Sequence, residues 1–121
     1  MSLIAAQMYT LRDFCKTPAE IASSCKKVKA MGYDGVQISG IGEIAPEELK
    51  KILDGEGLIC AATHTALDRL ENDTEKVIEE HKLWNCEYTA IGGFYSEDWN
   101  RKVIDDFIAR YNKIAEKFAG S

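Results

Sequence analysis

Four side chains carry most of the chemistry this sequence offers: Gln7, Tyr9, Gln37 and His64. His64 is one of two histidines. An imidazole titrates near neutral pH, so it can donate, accept or move a proton under ordinary conditions. The competing reading is a histidine hydrogen-bonded to neighbouring loop backbone. Gln7 and Gln37 interrupt otherwise apolar runs, and a buried amide needs partners. A bound ligand, water or each other can supply them. Gly40, Gly42, Gly92 and Gly93 could offer backbone N–H groups to a phosphate, although strand-end turns call for glycine anyway and that plainer reading is preferred. His81 falls in mid-helix and reads as a surface or interhelix residue. Glu43, Asp68 and Glu71 stand in loop regions, but nothing pairs them with His64 at metal-ligand spacing, so no metal is assigned to them.

The other reactive side chains are Cys15, Cys25, Cys60 and Cys86. They form no CxxC pair and no cluster with histidine, so a zinc site is not indicated. They read as reduced, mostly buried thiols. The start of the chain, Met1-Ser2-Leu3-Ile4, lacks the basic and apolar regions of a signal peptide, and no stretch has the length of a membrane span. The formal charge of −5 has no long block of either sign, which argues against a nucleic-acid surface and for a small-molecule or protein partner. The expected setting is cytoplasmic.

Apolar periodicity divides the chain into four strand-then-helix units that would position these residues. The first strand is expected over Leu3 to Tyr9, and its helix opens at Thr17-Pro18-Ala19-Glu20, an N-cap with proline at the first helical position and glutamate three residues later. Gly32 closes that helix. The second strand is Gly35 to Ser39, followed by a short helix from Pro46 that ends around Gly55 and Gly57. The third runs Leu58 to Thr63 into His64, and the pattern Asn72-Asp73-Thr74-Glu75 starts a helix that Asn85 can stop. The fourth is Tyr88 to Ile91, with Ser96 read as the cap of the last and longest helix. Strand starts spaced in this way suit parallel βαβ architecture.

Side chains alternate along a strand, so the two faces can be sorted. One parity collects Ile4, Ala6, Met8, Val36, Ile38, Ile59, Ala61, Thr89 and Ile91, which suits packing under helices. The other collects Ala5, Gln7, Tyr9, Gln37, Ser39, Cys60, Ala62, His64, Ala90 and Gly92, which is small or polar. A doubly wound sheet has helices on both faces and wants both parities aliphatic. A small, polar face shared by four strands fits a barrel lumen better. The fold class expected is therefore α/β, a single (βα)4 half of a TIM barrel over residues 1–121, with a flavodoxin-like open sheet as the alternative. A closed barrel needs eight strands and about 250 residues. Four units leave two open strand edges, which invite pairing with another chain. A two-fold homodimer through those edges would close the ring.

Several stretches resemble the sugar-phosphate isomerase/epimerase family, xylose-isomerase-like TIM barrels. They are Gln7-Met8-Tyr9-Thr10-Leu11-Arg12-Asp13, Gly32-Tyr33-Asp34-Gly35-Val36-Gln37, Gly57-Leu58-Ile59-Cys60 leading to Thr63-His64-Thr65, and His81 through Tyr88 to Gly93. The resemblance is to the N-terminal half. It implies a substrate pocket in which Gln7, Tyr9, Gln37 and His64 bind a small sugar or sugar phosphate, with His64 as the catalytic candidate. It also implies a divalent metal in full-length members, held by residues on strands five to eight, so no cofactor is expected in this half. Two functions follow from it. One is a self-associating half-barrel, a natural fragment or an engineered half, with little or no turnover. The other is an active isomerase or epimerase whose pocket is rebuilt by dimerisation. A phosphate-binding flavodoxin-like module is a third, weaker option.

Overall fold

The computed structural model describes residues 2–121, so Met1 lies outside it. Four short strands form one parallel sheet in the order β1-β2-β3-β4. They are β1 (Ala5–Gln7), β2 (Gly35–Ile38), β3 (Ile59–His64) and β4 (Thr89–Ala90). Sequential order decides between the two architectures. Parallel crossovers are right-handed, so four strands added in one direction carry every helix on the same face. A flavodoxin-like sheet reverses direction at its switch point and covers both faces. The sequential sheet is the barrel-type arrangement.

Five helices make the outer layer: α1 (Pro18–Ala30), α2 (Pro46–Glu56), α3 (Leu67–Asn72), α4 (Thr74–Leu83) and α5 (Arg101–Phe118). Thr17 caps α1 as its residue type predicts, its Oγ1 accepting from the Glu20 N–H at 3.2 Å. Gly57 and Asn85 take left-handed φ values of 67° and 52° after α2 and α4, where a helix stop needs that conformation. The principal core lies between sheet and helices. Met8, Ile21, Cys25, Val36 and Cys15 are fully inaccessible there, with Leu49 and Val28 nearly so. A second cluster of Leu70, Val77 and Ile114 seats α5 against α3 and α4.

Four expectations need correction. The first strand is only three residues long, because the chain turns at Met8 into a 3₁₀ stretch, Met8–Phe14. Tyr9 therefore stands on that turn and not on a strand. The third strand does not keep one alternation. Val36 pairs with Cys60 but Gln37 pairs with Ala62, a β-bulge that inserts one residue. Cys60 is thereby buried on the helix side while Ile59 is 48% exposed on the inner side, the reverse of their simple parity. The connection after β3 contains α3, a short helix that the polar composition of 65–72 conceals. Finally, α5 is capped by Asn100, whose Oδ1 accepts from the Val103 N–H at 3.0 Å, and not by Ser96. The residues between β4 and Asn100 instead bring Phe94 onto Phe107 at 4.5 Å and Trp99 onto Phe94 at 5.9 Å.

At the strands' carboxyl ends two loops meet without a side chain between them. The Gly42 N–H donates to the Cys15 carbonyl at 2.7 Å, and a Cβ on Gly42 would run into the Lys16 carbonyl. Backbone on both sides leaves little room to adjust. Gly42→Ala is expected to lower unfolding stability by about 1–3 kcal/mol, the usual range for overpacking. Urea denaturation measures this, and a loss below about 0.5 kcal/mol would show that the loops part freely.

Candidate functional site

The β2–β3 register assembles the site. Ile38 lies opposite Thr63, so the next residues, Ser39 and His64, meet at the sheet's carboxyl edge. His64 Nδ1 is 2.9 Å from Ser39 Oγ, and His64 Nε2 is 3.1 Å from the Gln37 amide nitrogen. An amide NH2 only donates, so Nε2 is the acceptor in the neutral ring and Nδ1–H donates to Ser39. Two side chains from one strand thus fix both ring orientation and tautomer. Nothing bulky covers the imidazole from the β4 side, where Gly92 would place a Cβ 3.4 Å from Nδ1.

Of the sequence-predicted residues, Gln37 and His64 are in direct contact. Gln7 is in register with Gln37 on the same inner face. Tyr9 stands on the 3₁₀ turn, against the loop that follows β2. Its ring covers Gly40, where a Cβ would come within 2.6 Å of Cδ2, and the Arg12 guanidinium sits 4.4 Å over the ring centroid. Ser39 and Arg12 were not singled out by sequence. Ser39 had a usable signal, since it shares parity with Gln37 two residues away. Arg12 had none, because its place over Tyr9 depends on the turn.

A groove of about 680 Å³ adjoins His64 between the β2–α2 loop and α4, lined among others by Pro46, Thr65, Arg69, Glu80 and Trp84. One of its two cations is already engaged, because Arg69 Nη2 donates to both Glu80 oxygens at 3.1 Å; the other is Lys76. His81 is buried beneath the groove. Its Nδ1–H donates to the Val77 carbonyl at 2.7 Å and its Nε2 is 2.6 Å from Thr63 Oγ1. Thr63 in turn reaches Thr89 at 2.7 Å, so His81 ties α4 to β3 and β4.

Two of the three carboxylates expected in loops, Asp68 and Glu71, lie on α3 and are already engaged, whereas Glu43 lines the groove. Glu71 forms a two-bond pair with Arg110 of α5 at 2.6 and 3.1 Å, and that guanidinium holds its carboxyl below the usual range. Asp68 accepts from Asn72 at 2.7 Å. Among the described residues there is no group of three or more His, Cys, Asp or Glu placed to hold a metal ion. The metal implied by the family resemblance finds no fitting donor set among the described residues. The Gly42 N–H, one possible phosphate donor, is occupied by Cys15.

No family profile matches this sequence and no curated protein matches it. Solved structures do. An AP endonuclease, family 2, from Brucella melitensis superposes with a TM-score of 0.73 at 13% identity, over 98% of this chain and 52% of that one. A sugar phosphate isomerase/epimerase from Parabacteroides distasonis ATCC 8503 superposes with a TM-score of 0.63 at 19% identity, again over 98% and 52%. Both are xylose-isomerase-like TIM barrels. The likeness shows the fold, and this chain spans about half the length of each.

The hydrogen bonds make a spectroscopic prediction. In the folded chain, histidine ¹⁵N shifts should report the neutral His64 ring as the Nδ1–H tautomer. Ser39→Ala removes the Nδ1 acceptor and should move the population toward Nε2–H. A wild-type ring dominated by Nε2–H would contradict the arrangement.

Proposed function

We propose that this chain is one half of a sugar-phosphate isomerase/epimerase-type barrel, completed by self-association with a second copy, and with little or no turnover of its own. The observation that carries the reading is the bare inner face of the sheet. Ala5, Gln7, Ile59 and Ala90 point there and are exposed, while the helix-facing Val36 and Cys60 are buried. Among the described residues, no strand lies beyond the outer edges of β1 and β4. Unpaired edges and an uncovered face favour addition of further strands, and two halves about a two-fold axis supply four more.

The rim residues support a carbohydrate as the ligand class. Gln7, Gln37 and Tyr9 present amide and phenol groups suited to hydroxyls, and His64 adds an imidazole that can donate or accept. Isomerisation of an opened sugar also needs a group to polarise the carbonyl. The described residues bring no metal-ligand cluster for that task, and both His64 nitrogens already have partners. A resting scaffold is therefore favoured over an active enzyme. Four buried, unpaired thiols suit a reducing compartment such as the cytoplasm. No helix among the described residues is long and apolar enough to cross a membrane.

Sedimentation velocity tests the reading. The expected mass is twice the 13.5 kDa of the chain. Ile59→Asp, which puts a carboxylate on the inner face at a position exposed in the single chain, should weaken association at least about tenfold, the loss of roughly 1.4 kcal/mol. A wild-type monomer throughout the micromolar range would overturn the proposal. Turnover of a sugar phosphate by the dimer, abolished by His64→Ala, would replace the resting scaffold with an enzyme rebuilt from two copies.

A further inference from the structure

We propose that Cys60 and Cys86 are a redox pair that closes to a disulfide when the folded chain meets a peroxide, fastening the β4 edge to β3. The argument starts from register. Thr63 lies opposite Thr89 at the start of the β3–β4 ladder, with Cys60 before it on the core side of the β3 bulge and Cys86 before Thr89 in the turn that leads into β4. The Thr63 N–H donates to the Tyr88 carbonyl at 3.1 Å, so the two chains remain adjacent toward that pair. Both cysteines belong to the same buried cluster on the helix side.

The chemistry of the two thiols agrees with that placement. Each thiol faces a carbonyl, Cys60 Sγ at 4.0 Å from the Ala62 oxygen and Cys86 Sγ at 3.4 Å from the Tyr88 oxygen, and the interaction between the two thiols lowers Cys86 to about 7 while it pushes Cys60 up. The other two behave differently. Burial pushes Cys15 up and Cys25 up to about 11, as in inert structural cysteines. The charged and titratable groups around the pair are His81 and Lys82 of α4 and Glu87 beside Cys86, with Lys50 and Asp54 of α2 near Cys60. Cys86 borders a cavity of about 410 Å³ between α4 and the end of α5, wide enough to admit a peroxide.

The reaction balances without a further reagent. The Cys86 thiolate attacks one peroxide oxygen, breaking the O–O bond to give a sulfenic acid and hydroxide. The Cys60 sulfur then attacks the sulfenic sulfur, forming the S–S bond and releasing hydroxide, and the protons lost by the two thiols complete two waters. Both thiols are oxidised by two electrons in total and the peroxide is reduced. Because β4 holds only Thr89 and Ala90 in its ladder, the bond would reinforce the most weakly paired part of the sheet.

The test treats the full folded chain with hydrogen peroxide at pH 7 and reads intact mass and peptide mapping. The expected product has lost two mass units, retains two alkylatable thiols, and yields one peptide joining the Cys60 and Cys86 segments. Cys86 in the reduced chain should alkylate at least about tenfold faster than Cys15 or Cys25 at pH 7. Cys86→Ser should abolish the loss of mass, and Cys15→Ser should leave it intact. A Cys15–Cys25 linkage, only intermolecular bridges, or no loss of mass would overturn the proposal. If Cys86→Ser fails to fold, Cys60→Ser serves, with a stable sulfenic or mixed disulfide at Cys86 expected and its absence contradictory. Repeating the mapping on monomeric Ile59→Asp separates this pair from self-association, since the linkage should form in either state.

Discussion

Handedness is the constraint on which this structure depends. Each crossover from one parallel strand to the next turns the same way, and the strands are added in one direction, β1 to β4. All the helices must then lie on one side, and the other side of the sheet is left without a partner layer. Composition follows that division. The covered side holds Val36 and Ile38 over Ile21, Val28 and Leu49. The uncovered side holds mainly alanine, glutamine and histidine, which tolerate water in an open half and can fill a lumen or face a ligand in a closed ring, together with the half-exposed Ile59.

The site inherits its geometry from one irregularity in that sheet. The bulge between the Val36–Cys60 and Gln37–Ala62 pairs adds a residue to β3. A one-residue slip exchanges the faces of every later side chain. With the bulge, Cys60 is in the core and His64 still points inward beside Gln37 and Ser39. Without it, burying Cys60 would turn His64 under the helices. The same irregularity therefore serves a well-packed core and a polar rim, and it puts Cys60 in the same buried cluster as Cys86.

Much of this was legible from residue types because the signals are local. Thr17-Pro18-Ala19-Glu20 starts α1, and Gly57 and Asn85 adopt the left-handed stops that their residue types favour. Gln37 and His64 were recognisable as polar interruptions at the carboxyl ends of strands. What escaped is what depends on two segments at once. A bulge is a property of a strand pair, so Ile59 and Cys60 fell on the wrong faces. Tyr9 continues the apolar alternation of β1, yet the chain bends at Met8 to bury that side chain fully. Ser96 and Asn100 are equally good caps by type, and the stacking of Phe94 on Phe107 fixes which one lies at the start of α5.

The central claim is that the uncovered face and the two open edges are contact surfaces of a closed ring. Amide hydrogen exchange, followed residue by residue as protein concentration is raised, tests it most directly. Closure predicts that protection rises with concentration at Ala5 to Gln7 of β1 and at Thr89 and Ala90 of β4, the outer edges, while the α1 and α2 amides stay unchanged. Edge amides that exchange at one rate at every concentration would contradict it, and the chain would then be an open half with its inner face in water.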